Sequence, residues 1–236
     1  MLCMGEISPQ LADNEAWVDQ TFEKCDDILH RQVYLGQGRQ EGLLVYVEVA
    51  VSNLMLEEQV IGLSDVQPLK SYEEGKAALL AGNGLLFLDG DTNCYKISSK
   101  GYPGLGVKKA ENEKVIRGSQ EAFTESEKIN VALIRKRLRD SRMKVEEQTV
   151  GVRSHTMTAL VYMEDLIYQG LLTTMKQQLQ RYEIDGILDS GMLEQLSEKH
   201  WLSPFPQFQT TERPDRAAAA VLEGRIVLVT DHSPQV

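Results

Sequence analysis

The sequence predicts an α/β (α+β) fold in two small subdomains, each a mixed β-sheet flanked by helices. Three observations carry that prediction. Leu43–Val51 is apolar on both of its alternating faces, with Glu48 its one charge, as in a strand covered on both sides in the middle of a sheet. Strand-like runs and stretches of helical spacing are interspersed along the rest of the chain. Gly101-Tyr-Pro-Gly-Leu-Gly106, followed by the charged run Val-Lys-Lys-Ala-Glu-Asn112, punctuates the chain near its middle. The expected organisation is an N-terminal subdomain over 1–100, a linker over 101–112 and a C-terminal subdomain over 113–236.

The chain has 236 residues, enough for one large domain or two small ones. Apolar residues make up 42% and charged residues 25%, so a real core is affordable. The net charge of −10 argues against nucleic acid, which needs a basic stripe for its phosphates. Cys3, Cys25 and Cys94 are odd in number and widely spaced, which suggests neither a disulfide framework nor a zinc site. The N-terminus lacks the basic and apolar regions of a secretory signal, and no apolar window reaches membrane-spanning length.

In chain order, Asn14–Tyr34 reads as a helix. Asp13 or Asn14 is its N-cap, and Val18, Phe22, Cys25 and Leu29 form an apolar stripe. Gly36-Gln-Gly38 is its expected stop. After the Leu43–Val51 strand come two short helices, Asn53–Leu63 and Ser71–Ala81. Strands Leu85–Asp89 and Cys94–Ser98 then flank a tight turn at 90–93. The second subdomain opens with a short strand, Glu113–Arg117. Thr124 and Glu127 form a capping-box pattern before a helix to Leu138, whose outer, C-terminal part is basic: Arg135, Lys136, Arg137 and Arg139. Val145–Arg153 and Met157–Met163 read as paired strands around Ser154-His155. A helix over 168–182 follows, then a short strand Ile184–Leu188. Asp189 or Ser190 caps the next helix. Pro214 sits at a helix N1 position, Gly224 stops that helix, and Ile226–Thr230 is the last strand.

Candidate chemistry is sparse. Asp89-Gly-Asp-Thr-Asn93 opens like a calcium loop, but Cys94 and Lys100 stand where glycine and a bidentate glutamate are needed, so it reads as a turn. Gly101, Gly104 and Gly106 lack dinucleotide spacing. The four histidines are scattered. Asp185 and Asp189 are two carboxylates near a strand end, better suited to capping than to acid–base work. Glu212-Arg213-Pro214-Asp215-Arg216 is the densest charged cluster. It reads as an anion site at a helix start or as a salt-bridged knot tying that helix to the basic helix 125–139. Trp201, Phe205 and Phe208 are either an exposed partner surface or a lid on the sheet edge.

Several ordered motifs carry a family resemblance. They are Val115-Ile-Arg117-Gly-Ser-Gln-Glu-Ala-Phe123-Thr-Glu125 with Asn130-Val-Ala-Leu-Ile-Arg135-Lys-Arg-Leu-Arg139-Asp; Ile184-Asp-Gly-Ile-Leu-Asp-Ser-Gly191; Ser203-Pro-Phe-Pro-Gln207; and Thr211-Glu-Arg-Pro-Asp-Arg216 with Leu222-Glu-Gly-Arg225. Over about residues 112–232 the chain resembles the A subunits of spore germinant receptors, the GerA family. It departs from the family pattern at Gly118-Ser-Gln-Glu-Ala-Phe123, where Gly-Pro-Arg-Glu-Gly-Phe is usual. It departs again at Asp231-His-Ser-Pro234, where Asp-Gly-Thr-Pro is usual.

The resemblance implies the soluble N-terminal part of a membrane protein of the spore inner membrane, with transmembrane helices to follow. It implies B and C receptor subunits as partners, self-association, and a small nutrient germinant, an amino acid or a sugar. An enzyme would need a nucleophile, metal or cofactor constellation, and the sequence offers none, so no enzyme activity and no cofactor are expected. Signal transmission or ligand sensing is the expected role, and a pure assembly module is the alternative. The expected ligand or subunit contacts are Glu212, Arg213, Asp215, Arg216, Arg117, Glu125, Arg135 and Arg139. Asp185, Asp189, Pro204, Pro206 and Pro214 are expected to shape the motifs.

Overall fold

The computed structural model describes residues 5–36, 40–49, 66–98, 110, 113–181, 183–198 and 206–236. The chain divides into two compact units: residues 1–103 with Arg139–Ser141, and residues 104–138 with 142–236. Among the described residues there are six helices and eight strands. The α+β class holds. Each ladder among the described residues is antiparallel, because tight hairpins join so many of the neighbouring strands.

The first unit is a five-stranded sheet in the order β1-β2-β4-β5-β3. Its strands are β1 (Ile28–Leu35), β2 (Gln40–Val47), β3 (Val66–Leu69), β4 (Gly84–Leu88) and β5 (Cys94–Ile97). The apolar strand β2 is interior, between β1 and β4, and Leu43 through Val47 are buried on both faces. Helices α1 (Leu11–Thr21) and α2 (Tyr72–Leu80) pack on the sheet. Ser71 caps α2, accepting from the Glu74 amide. Trp17 stacks on Tyr72 at 4.5 Å, and both rings approach Phe87. The predicted helix over 53–63, most of the linker over 101–112, and Gln37 and Gly38 lie outside the described residues.

The predicted helix over 14–34 is corrected. It ends at Thr21, and residues 28–35 form strand β1. The chain reverses through two successive turns, Phe22 to Cys25 and Cys25 to Ile28, with Lys24 at φ 60. Beyond them, β1 finds a full ladder with β2, from Ile28↔Val47 to Leu35↔Gln40. That hairpin pairing overrides the helical spacing of the apolar stripe. Asn14 is not a cap either. It is buried, donating from Nδ2 to the Ser8 carbonyl and accepting from the Tyr72 hydroxyl at 2.7 Å.

The second unit is a three-layer sandwich. Its sheet is β6-β7-β8, made of β6 (Met143–Val150), β7 (Thr156–Met163) and β8 (Val227–Thr230). One face presents Val145, Val161 and Val229 to helices α3 (Glu127–Arg135) and α6 (Pro214–Leu222). The other presents Val150 and Leu160 to α4 (Gln169–Gln180) and α5 (Ser190–Ser197). Pro214 opens α6, and Gly224 (φ +80) lets the chain leave it; a Cβ there would meet the Leu166 carbonyl at 2.7 Å.

Three local expectations fail here. Residues 113–117 form no strand; no described strand forms a ladder with them, and Ile116 is fully exposed. Thr124 and Glu127 form no capping box. Ser126 is the N-cap, and the Glu127 amide donates to Asp231 instead. Residues 184–188 are irregular rather than a strand. Their carbonyls accept from the amides of the β6–β7 turn, Val152 to Ile184 and Arg153 to Asp185, while Thr156 donates to the Ile187 carbonyl.

Candidate functional site

The charged cluster at the start of α6 closes around Glu113. The Glu113 carboxylate accepts from the Thr211 hydroxyl and the Glu212 amide, and it pairs with Arg216. Its own amide donates to Glu212 Oε1 at 2.6 Å. Arg213 grips Asp215 with two hydrogen bonds, from Nε and Nη2. Burial pushes the Asp215 carboxyl up, but the Arg213 guanidinium outweighs it, and the group stays below its ordinary pKa. Phe123 donates from its amide to the Glu212 carbonyl at 2.9 Å. The cluster therefore ties α6 to the 113–123 segment. Lys136 and Arg137, just past α3, are engaged by Glu121 on that same segment.

The remaining predicted residues scatter. Arg135, predicted on an outer basic face, is 0% exposed and donates to the Met143 carbonyl, holding α3 against β6. A side chain so placed is out of a partner's reach. Arg117, Glu125 and Arg139 are exposed. Asp185 pairs with Arg153 at 3.1 Å on the surface. Asp189 caps α5 through the Met192 amide. Those two carboxylates hold different turns. Pro206 is exposed and Pro214 buried, while Trp201, Pro204 and Phe205 lie outside the described residues. Phe208 packs on the core beneath α4 and α5.

Beside the cluster lies a cleft of about 710 Å³. α4 contributes Leu171, Met175 and Gln178; α5 contributes Ser190, Leu193, Glu194 and Ser197 at helical spacing. α6 supplies Ala217 and Ala220, whose small side chains leave the space open, together with Arg216. β8 supplies Leu228 and Thr230, and Thr211 completes the rim. Arg216 and Thr211 thus belong both to the cleft wall and to the Glu113 cluster.

Thr230 ends a polar row across the sheet. Register places Gln148 opposite Thr158 and Thr158 opposite Thr230, one residue from each strand. Gln148 Nε2, Thr158 Oγ1 and Thr230 Oγ1 are all buried with no hydrogen-bond partner among the described residues. Buried polar groups are nearly always satisfied, so three orphans in one row are unusual. The next row is settled by contrast: Glu146 accepts from Tyr162 and pairs with Lys176 of α4 at 2.6 Å. Glu113, Glu194 and Thr230 escape sequence reasoning. The signal for Thr230 is there in part, as a hydroxyl at an inward position of an apolar strand.

Comparisons with known proteins converge on one family. The family described as Bacillus/Clostridium GerA spore germination protein matches residues 55–236. In Bacillus subtilis (strain 168), an uncharacterized membrane protein, YfkQ, is 32% identical over 98% of this chain and 49% of its own length. Spore germination protein KA of the same organism is 29% identical over 98% of this chain and 47% of its own. Spore germination protein GerLA of Bacillus cereus is 32% identical over 79% and 38%. The chain spans about half the length, or less, of these relatives. No helix among the described residues is long and apolar enough to cross a membrane. The N-terminal domain of the A subunit of the Bacillus megaterium spore germinant receptor GerK3 shares the fold, with a TM-score of 0.72 and 22% identity over 99% of this chain and 95% of that one. The chain belongs to the GerA family of spore germination proteins.

Proposed function

We propose that this chain is the N-terminal region of an A-type germinant receptor subunit of the spore inner membrane, and that it transmits a nutrient-triggered change during germination. The observation that carries this reading is Glu113. It is the first residue of the continuous segment described after the predicted linker over 101–112. It is held by Thr211, Glu212 and Arg216, and Thr211 and Arg216 also wall the cleft. A change in the cleft would therefore reach the segment that follows the predicted linker through one carboxylate. Receptor B and C subunits are the partners this reading entails, and the germinant is a small nutrient sensed here or on one of them.

A second reading, an assembly module without a small-molecule ligand, is favoured by Ile116. This residue is fully exposed beside the exposed Arg117, and on this reading it would meet a sister subunit. One experiment separates them. Spores carrying Glu113→Gln in the full-length protein are compared with the parent for receptor abundance and for nutrient response. Transmission predicts normal abundance and a lost or slowed response. Lost abundance favours assembly, and a normal response with normal abundance overturns the transmission reading.

A further inference from the structure

The cleft of the second unit has the size and the unspent chemistry of a ligand site. Its volume of about 710 Å³ falls within the range of small-molecule pockets. Its walls are largely apolar: Met175, Leu193, Ala220 and Leu228. Two of its polar groups are left over. Thr230 is 0% exposed, its hydroxyl has no partner among the described residues, and it lines the cleft. Glu194, half-buried on the α5 wall, has no paired cation among the described residues.

The other lining charges are engaged, Arg216 with Glu113 and Arg225 with Glu223 at 2.9 Å. The cleft thus combines an unmatched negative charge, an unmatched hydroxyl and greasy walls. A carboxylate beside apolar surface favours a cation that brings its own apolar body, because pairing and burial are then gained together.

We infer that this cleft binds a small primary amine with an apolar body, its ammonium group on Glu194 and its body against Leu193, Leu228 and the Ala220 wall. A neutral molecule of the same shape loses the charge-assisted hydrogen bond, and a carboxylate meets repulsion. The site goes beyond the transmission reading and depends on it only for what occupancy would change downstream.

The test is an NMR titration of the 236-residue chain at pH 7 with isobutylamine, isobutanol and isobutyrate. Isobutylamine is expected to give saturable shifts at Leu193, Leu228 and Thr230. Isobutanol should bind about tenfold more weakly, and Glu194→Gln should bring the amine down to the alcohol's affinity. Ala220→Leu, which fills the cleft from α6, should abolish binding while leaving the circular dichroism unchanged. Equal affinities for amine and alcohol, an unchanged amine affinity in Glu194→Gln, or no saturable shift with any probe overturns the proposal. The outcome is independent of the Glu113→Gln phenotype in spores, so either reading can fail alone.

Discussion

The two units treat their buried polar groups differently. In the first, Asn14, Tyr72 and Ser8 close on one another: Tyr72 donates to Asn14, Asn14 donates to the Ser8 carbonyl, and the Ser8 amide donates to the Tyr72 oxygen. Around them, Trp17, Phe22, Tyr72 and Phe87 form an aromatic cluster. In the second unit, Gln148, Thr158 and Thr230 leave donors and acceptors open beneath a cleft. An unsatisfied buried group costs stability, so a fold that keeps three in a row has been shaped by something besides stability.

The largest expected effect breaks the first unit alone. Phe87→Ala empties a ring that is 1% exposed and should cost about 3–5 kcal/mol. Amide hydrogen exchange on the variant should show protection lost first in β2 and β4. The second unit's β6 and β7 amides should stay protected from exchange.

Glu113→Ala should follow, at roughly 1–3 kcal/mol, because it strands the Thr211 hydroxyl and the Glu212 amide and frees Arg216. Chemical denaturation of the variant should show the loss confined to the second unit.

Acid should act next. Burial pushes the Glu121 carboxyl up, but Lys136 and Arg137 outweigh it and leave it below its ordinary pKa, as Arg213 does for Asp215. A lowered folded pKa means the stabilisation is complete above the unfolded value, roughly pH 4–4.5. It is lost as pH falls through the lower folded values. Melting temperature should therefore be flat down to that range and then drop, and the drop should be shallower in Glu121→Gln.

The smallest effect has the opposite sign. Thr230→Val replaces an orphan hydroxyl with a methyl of similar shape and should be neutral or stabilising by up to about 1 kcal/mol. A destabilised variant would mean that the hydroxyl is satisfied, and the contrast between the units would blur.

The parts of the fold legible in the sequence are those written locally. Ser71 before α2, Asp189 before α5, Pro214 at the start of α6 and the Ser154-His155 hairpin each carry their signal within a few residues. The misread parts depend on partners outside the stretch being read. The Val18, Phe22, Cys25, Leu29 spacing fits a helix, and only the ladder with β2 turns residues 28–35 into a strand. Strand β3 is hidden in the sequence because Pro68 demotes the run; the proline is tolerated because β3 is an edge strand. Val115 and Ile116 have strand propensity but no strand among the described residues to pair with.

The candidate site is legible in half. The Glu212–Arg216 cluster stands out by charge density, whereas its hub, Glu113, lies about a hundred residues away and emerges only in three dimensions. Arg135 looks like surface charge, yet α3 turns it inward to a carbonyl of the next strand.

The central claim is that Glu113 couples the cleft wall to the segment that follows the predicted linker. Amide hydrogen exchange on Arg216→Ala tests it most directly, since this change removes the wall residue's charge and leaves Glu113 in place. Faster exchange is expected at Glu113, Glu212 and the first turns of α6, with β2 and β4 of the first unit unchanged. Unaltered exchange at Glu113 and Glu212, or acceleration in β2 and β4 instead, would contradict it.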